Sequence, residues 1–220
     1  MLTYSPNRHW QLYTGAFALV IIASASIYLV ADSLGVTVKT LTRDPYSAAG
    51  VPAYYGYVSL LGSTIWLIAG AGTLIVSLFA KRVFHARMSD DGTYRIIVIG
   101  GATGLMMAFD DILLLHDAFA IKMGISELFF HGFYLLCMLL LIGTARGLLL
   151  RTPWILLLSS LACFGMSSVI DKVYAAGGQL SESEDVFKFS AIIFWAIYFA
   201  QVCWHYMGSK NVLNESVNHS

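Results

Sequence analysis

Four ionisable side chains lie in or beside one apolar stretch in the middle of the chain. Residues 106–119 read MMAFDDILLLHDAF and contain Asp110, Asp111, His116 and Asp117. A helix that continues through them turns about 100° per residue, so Asp110 and Asp117 would share a face. Buried carboxylates are unfavourable unless hydrogen bonds, cations or water compensate them. Such groups in a spanning segment indicate a functional site, and hydrogen-bonded helix packing is the structural alternative.

A second group of potential metal ligands follows in the next apolar run. Glu127 and His131 are four residues apart, so on a helix their side chains point the same way and could share one cation. A catalytic zinc usually takes three protein ligands and keeps a position for water. We therefore predict a divalent metal ion, with zinc as the candidate. The predicted metal ligands are His116, Glu127, His131 and Asp171.

Carboxylates beside such a metal could move the protons of a hydrolytic reaction. The predicted catalytic residues are Asp110, Asp111, Asp117 and Asp185. Asp117 is also an alternative third ligand of the metal. Part of the group has a simpler explanation, because Glu184 and Lys188 have the spacing of an ordinary ion pair on one helix.

The composition defines the class of protein. The chain is 58% hydrophobic and 12% charged, whereas soluble domains are about 25% charged. The mean hydropathy is +0.71, and apolar runs of roughly 20 residues recur along the chain. These runs leave no room for a separate soluble domain, so residues 1–220 are predicted to form a single integral membrane domain. The three cysteines show neither a disulfide framework nor a CxxC motif.

The apolar runs predict an all-α, polytopic membrane helical bundle with six transmembrane helices. The predicted spans are about residues 12–30, 57–80, 96–116, 128–150, 153–170 and 186–206. Residues 32–53 are polar and predict a loop long enough for a short surface helix or a lid. Gly100 and Gly104 have GxxxG spacing, which predicts close helix packing. Ser181 with the acids after it predicts the start of the last helix.

The charge distribution predicts the orientation. Six spans place both termini on one side, which holds eight Lys and Arg against three acids, while the other side holds five against ten. The positive-inside rule then makes both termini cytoplasmic, in a cell membrane (plasma or inner), with the acidic groups facing outward. The total charge is balanced, 13 against 13, and no nucleic-acid partner is predicted. The lipid bilayer is the predicted partner, and the sequence indicates no oligomeric state.

Several catalytic motifs are absent from the sequence, namely HExxH, GxSxG, a phosphate loop and histidine-rich desaturase boxes. The first remaining hypothesis is a metal-dependent membrane enzyme of hydrolase type that acts on a lipid or amphiphilic substrate. The second is a proton- or cation-coupled transporter or channel with Asp110 and Asp111 at the deep end of an ion path. The third is an accessory membrane subunit whose buried charges fix helix packing. The sequence does not decide whether the protein is an enzyme.

Overall fold

The computed structural model describes residues 10–42, 56–84, 92–113, 115, 120–174 and 181–218, and within them it contains helices and turns but no strand. Each long apolar run forms a helix, as predicted. The helices are α1 (Trp10–Leu34), α2 (Val38–Thr42), α3 (Tyr57–Phe84), α4 (Gly92–Leu113), α5 (Ala120–Met123), α6 (Glu127–Leu149), α7 (Trp154–Tyr174) and α8 (Ser181–Asn218).

Five of these helices are long and apolar enough to cross a membrane. The five segments are Trp10–Leu34, Tyr57–Ala80, Gly92–Leu113, Trp154–Asp171 and Ser183–Gly208. The remaining predicted span corresponds to α6, which has a shorter apolar stretch, Phe129–Thr144. Large apolar side chains such as Ile21, Leu29 and Ile68 are exposed, as expected for residues that face lipid. The prediction of an all-α membrane bundle is confirmed, and the protein is an integral membrane protein in contact with lipid.

The chain divides into two compact units. Of the described residues, those of Trp66–Trp154 and Tyr198–Ser220 form unit 1, and those of Pro6–Ile65 and Ile155–Ile197 form unit 2. α3 and α8 contribute residues to both units. The single domain over residues 1–220 stays a prediction.

In unit 1, small residues allow helices to approach closely. A Cβ added to Gly70 on α3 would meet the backbone of Gly104 and Leu105 on α4. A Cβ added to Gly100 would collide with the ring of Phe199 on α8. The GxxxG pair therefore packs against two other helices, which confirms the packing prediction made from its spacing.

In unit 2, α1, α7 and the first part of α8 are joined by polar and aromatic contacts. The Ser160 hydroxyl on α7 donates to the carbonyl oxygen of Ala191 on α8 at 2.8 Å. The Ser24 and Ser190 hydroxyls lie 3.2 Å apart, and the rings of Phe17 and Phe194 are 5.0 Å apart. Such contacts hold helices together in lipid, where apolar burial alone gives little preference for one helix over another.

The predicted loop after span 1 does contain a short helix. α1 ends where Gly35 adopts a positive φ of 64°, and its N–H donates to Asp32 while the Val36 N–H donates to Ala31. This pair of bonds is the Schellman arrangement that satisfies the last carbonyls of a helix. α2 then begins at Val38 and packs against α1.

Candidate functional site

The predicted buried carboxylate lies between α4 and α6 in unit 1. Asp110 is 5% exposed, and the Tyr134 hydroxyl on α6 donates a hydrogen bond to its Oδ2 at 2.5 Å. Hydrogen bonds to a charged acceptor are shorter and stronger than neutral ones. Asp110 is therefore hydrogen-bonded to a neighbouring helix. Its catalytic role stays a prediction.

Two contacts give the relative direction of α4 and α6. Gly92, at the start of α4, lies against Leu148 near the end of α6. Asp110, near the end of α4, bonds to Tyr134 near the start of α6. The two helices are therefore antiparallel, and α4 ends beside the first turns of α6.

The face of α6 that carries Tyr134 also carries two of the four predicted metal ligands, Glu127 and His131. His131 is three residues before Tyr134, and Glu127 is four residues before His131, so all three share one side of α6. His131 is half-buried and lies about 4.5 Å along the axis from Tyr134, toward the start of the helix. The antiparallel arrangement puts His131 beside the last turn of α4.

The remaining predicted residues of this group are not described. His116 and Asp117 lie outside the described residues, as does the side chain of Glu127. Among the side chains that the structure describes, no three His, Cys, Asp or Glu residues are grouped so that they could hold a metal ion. The metal site of His116, Glu127 and His131 stays a prediction.

Asp111 is half-buried beside the Asp110 pair. It interacts electrostatically with Tyr134, as does Cys137, which follows Tyr134 by one turn of α6. Two carboxylates of α4 thus act on one phenol hydroxyl of α6. Asp110 accepts the hydrogen bond, Tyr134 donates it, and Asp111 is a second carboxylate in the same part of unit 1.

The other two predicted residues, Asp171 and Asp185, belong to a charged group in unit 2. The Thr42 hydroxyl on α2 donates to Oδ2 of Asp185 on α8. Glu184, next to Asp185, interacts electrostatically with Asp185, Asp171, Lys188 and Lys39. The suggested pairing of Glu184 with Lys188 is supported, since the two attract each other along one helix. The prediction that Asp171 and Asp185 serve the same site as His131 stays a prediction.

Two residues of these groups were missed from the sequence, Tyr134 and Thr42. Tyr134 could have been found from the sequence, because its helical spacing puts it on the same face as Glu127 and His131. Thr42 carried none, since its partner Asp185 is 143 residues away in the chain.

The Asp110–Tyr134 bond makes Tyr134→Phe a sensitive test of the site's geometry. The substitution leaves a buried carboxylate with one donor fewer, and we expect it to lower the free energy of unfolding by about 1–3 kcal/mol. Thermal unfolding in detergent measures the change. Tyr57→Phe is the control, because Tyr57 is 59% exposed. Equal stability of the two variants would contradict the importance of the bond.

The fold and the site together define a helical integral membrane protein with a buried carboxylate–tyrosine pair between two antiparallel helices. The chain belongs to the family described as domain of unknown function (DUF8692), whose match covers residues 13–202. No curated protein and no solved structure gives a significant match to the chain.

Proposed function

We propose that the protein is a metal-dependent membrane enzyme of hydrolase type that acts on a lipid or amphiphilic substrate. A divalent metal ion, with zinc as the candidate, would be held by His116, Glu127 and His131. The observation that carries the proposal is the Tyr134–Asp110 bond, because it places the first turns of α6, which carry His131, beside the end of α4.

Chain length supports the convergence of these ligands. His116 follows Leu113 by three residues, and three residues of chain span at most about 11 Å. His131 lies beside the last turn of α4, on the antiparallel partner helix. Glu127 is one turn further toward the start of α6, so all three residues belong to the same end of the α4–α6 pair.

The residues divide into two layers by their distance along the helices. A bound divalent metal supplies activated water at neutral pH. His131 and Glu127 would bind it, and Asp117 would accept the proton. Asp110 and Tyr134 lie about one turn deeper than His131 and would hold α6 in the register that binding requires. Asp111 adds negative charge beside that pair.

A reconstituted assay tests the proposal. Protein is placed in liposomes of phosphatidylethanolamine and phosphatidylglycerol, and lipid products are followed by mass spectrometry with and without EDTA. We expect lysolipid or free fatty acid to form, to stop with EDTA and to resume when Zn²⁺ is added back. Product formation that EDTA leaves unchanged would contradict a metal-dependent mechanism.

A proton- or cation-coupled transporter is the second candidate. It is favoured by the burial of Asp110 within the spanning helix α4, since ionisable residues inside membranes often mark proton or ion paths. The same liposomes, loaded with a pH-sensitive dye, separate the two functions. Dye response to an imposed gradient without lipid products favours transport. The absence of both favours an accessory subunit.

We infer that both termini are cytoplasmic and that the membrane is a cell membrane, plasma or inner. The support is the charge asymmetry of the connecting segments. In a variant without native cysteines, Ser89→Cys in the connection after α3 should resist an impermeant thiol reagent in intact cells. Ser126→Cys, before α6, should react, because it would face outward. The reverse pattern would contradict the inferred orientation.

A further inference from the structure

One face of α6 is exposed and carries two glycines near the end of the helix. The opposite face, with Tyr134, packs against α4. A Cβ added to Gly143 or to Gly147 would meet nothing within 4 Å. Leu136 and Leu139 lie on the same exposed face, because helical spacing puts them within about 40° of Gly143. We call the shallow depression at Gly143 and Gly147 the glycine groove.

Two arginines border the glycine groove. Arg146 on α6 lies about 60° around the helix from Gly143. Arg151 is in the turn that follows α6, where its backbone N–H donates to the carbonyl oxygen of Leu148 at 2.8 Å. Both arginine side chains are exposed. An apolar groove and two positive charges therefore meet at this end of unit 1.

The length of the apolar stretch gives the depth of the arginines in the membrane. Phe129–Thr144 is about 24 Å long at 1.5 Å per residue, whereas the hydrocarbon core of a bilayer is about 30 Å thick. A span shorter than the core is accommodated by local thinning and by flanking side chains that reach to the headgroups. Arg146 follows this stretch directly, so its guanidinium reaches the level of the lipid phosphates.

Charge decides between two possible occupants of the glycine groove, a second copy of α6 and a lipid. Two copies inserted in the same orientation would pair in parallel and bring their Arg146 side chains together. Like charges 4 Å apart repel by about 1 kcal/mol in water and by about 4 kcal/mol near a protein surface. A lipid phosphate is instead attracted by both arginines, and a guanidinium can donate two parallel hydrogen bonds to it.

We propose that the glycine groove and the two arginines bind one anionic phospholipid. Its phosphate lies between Arg146 and Arg151, and one acyl chain follows the groove past Gly143 toward Leu139. This binding site is at the end of α6, whereas His131 is in the first turns of that helix. The bound lipid is therefore distinct from the proposed substrate, and the site is independent of the proposed metal.

Lipid titration followed by native mass spectrometry tests the charged part of the site. The full chain in detergent is titrated with phosphatidylglycerol, or with phosphatidylcholine of the same chain length. Arg146→Gln and Arg151→Gln should each weaken phosphatidylglycerol binding about fivefold, the effect of one basic residue at a membrane surface. Phosphatidylcholine binding should change less. Lys122→Gln is the control, because Lys122 is exposed and precedes the start of α6.

Gly143→Leu tests the apolar part, since the added side chain would fill the glycine groove. Phosphatidylglycerol binding should fall while the unfolding temperature does not, because the position is open. Gly165→Leu on α7 is the matched control, as a Cβ there also meets nothing within 4 Å. Unchanged binding in the double arginine variant or in Gly143→Leu overturns the proposal. Displacement of the lipid by inorganic phosphate, or a wild-type dimer that Gly143→Leu dissociates, overturns it as well.

Discussion

Gly70→Ala is expected to destabilise the protein strongly, although alanine is normally the better helix residue. A Cβ at this position would overlap with the backbone of Gly104 and Leu105 on α4, where no flexible side chain can move aside. The two helices would have to separate, and overpacking of this kind costs about 1–3 kcal/mol or more. We expect a lower unfolding temperature in detergent and a smaller fraction of monodisperse protein.

Gly72→Ala is the matched control on the same helix. A Cβ added to Gly72 meets nothing within 4 Å, so the change should be neutral or stabilising by up to about 1 kcal/mol through helix propensity. The two substitutions are chemically identical and two residues apart. Similar stability for both variants would contradict the close approach of α3 and α4 in unit 1.

Asp110→Asn is expected to impair activity while leaving metal content largely intact. Asparagine keeps the shape of the side chain and can still accept the Tyr134 hydrogen bond, but it removes the negative charge. Loss of a residue that supports a metal ligand typically reduces activity about 10- to 100-fold. His131→Ala should instead lose metal and activity together, since His131 is proposed to bind the metal directly.

Asp32→Asn controls for the loss of one carboxylate from a helix. Asp32 is exposed near the end of α1, so its substitution should change neither metal content nor activity. Lipid-product formation and metal content are measured on the same preparations. Equal loss of metal in Asp110→Asn and His131→Ala, with folding preserved, would contradict the division into two layers.

The helices were predictable because hydropathy and helix-end signals reflect local chemistry. α8 begins at Ser181, the residue that, with the acids after it, predicted the start of the helix. The end of α8 did not, because hydropathy marks the stretch suited to lipid. The helix itself continues through polar residues to Asn218. A span predicted from hydropathy therefore gives a minimum length for its helix.

The partners of the buried charges were only partly predictable. The sequence showed that Asp110 needs a donor, because a lone carboxylate in an apolar helix is unfavourable. It did not show that the donor is Tyr134, since a tyrosine in an apolar run has many possible positions until the helix register is known. The Thr42–Asp185 bond required the tertiary structure, because neither residue has a local pattern that indicates the other.

Metal analysis of detergent-purified protein tests the central claim most directly. Elemental analysis is performed on wild type, His131→Ala and the control His205→Ala, since His205 on α8 is not one of the proposed metal ligands. The proposed function predicts about one divalent metal per chain in wild type and in His205→Ala, and none in His131→Ala. Wild-type protein without metal, or His131→Ala with undiminished metal, would contradict it.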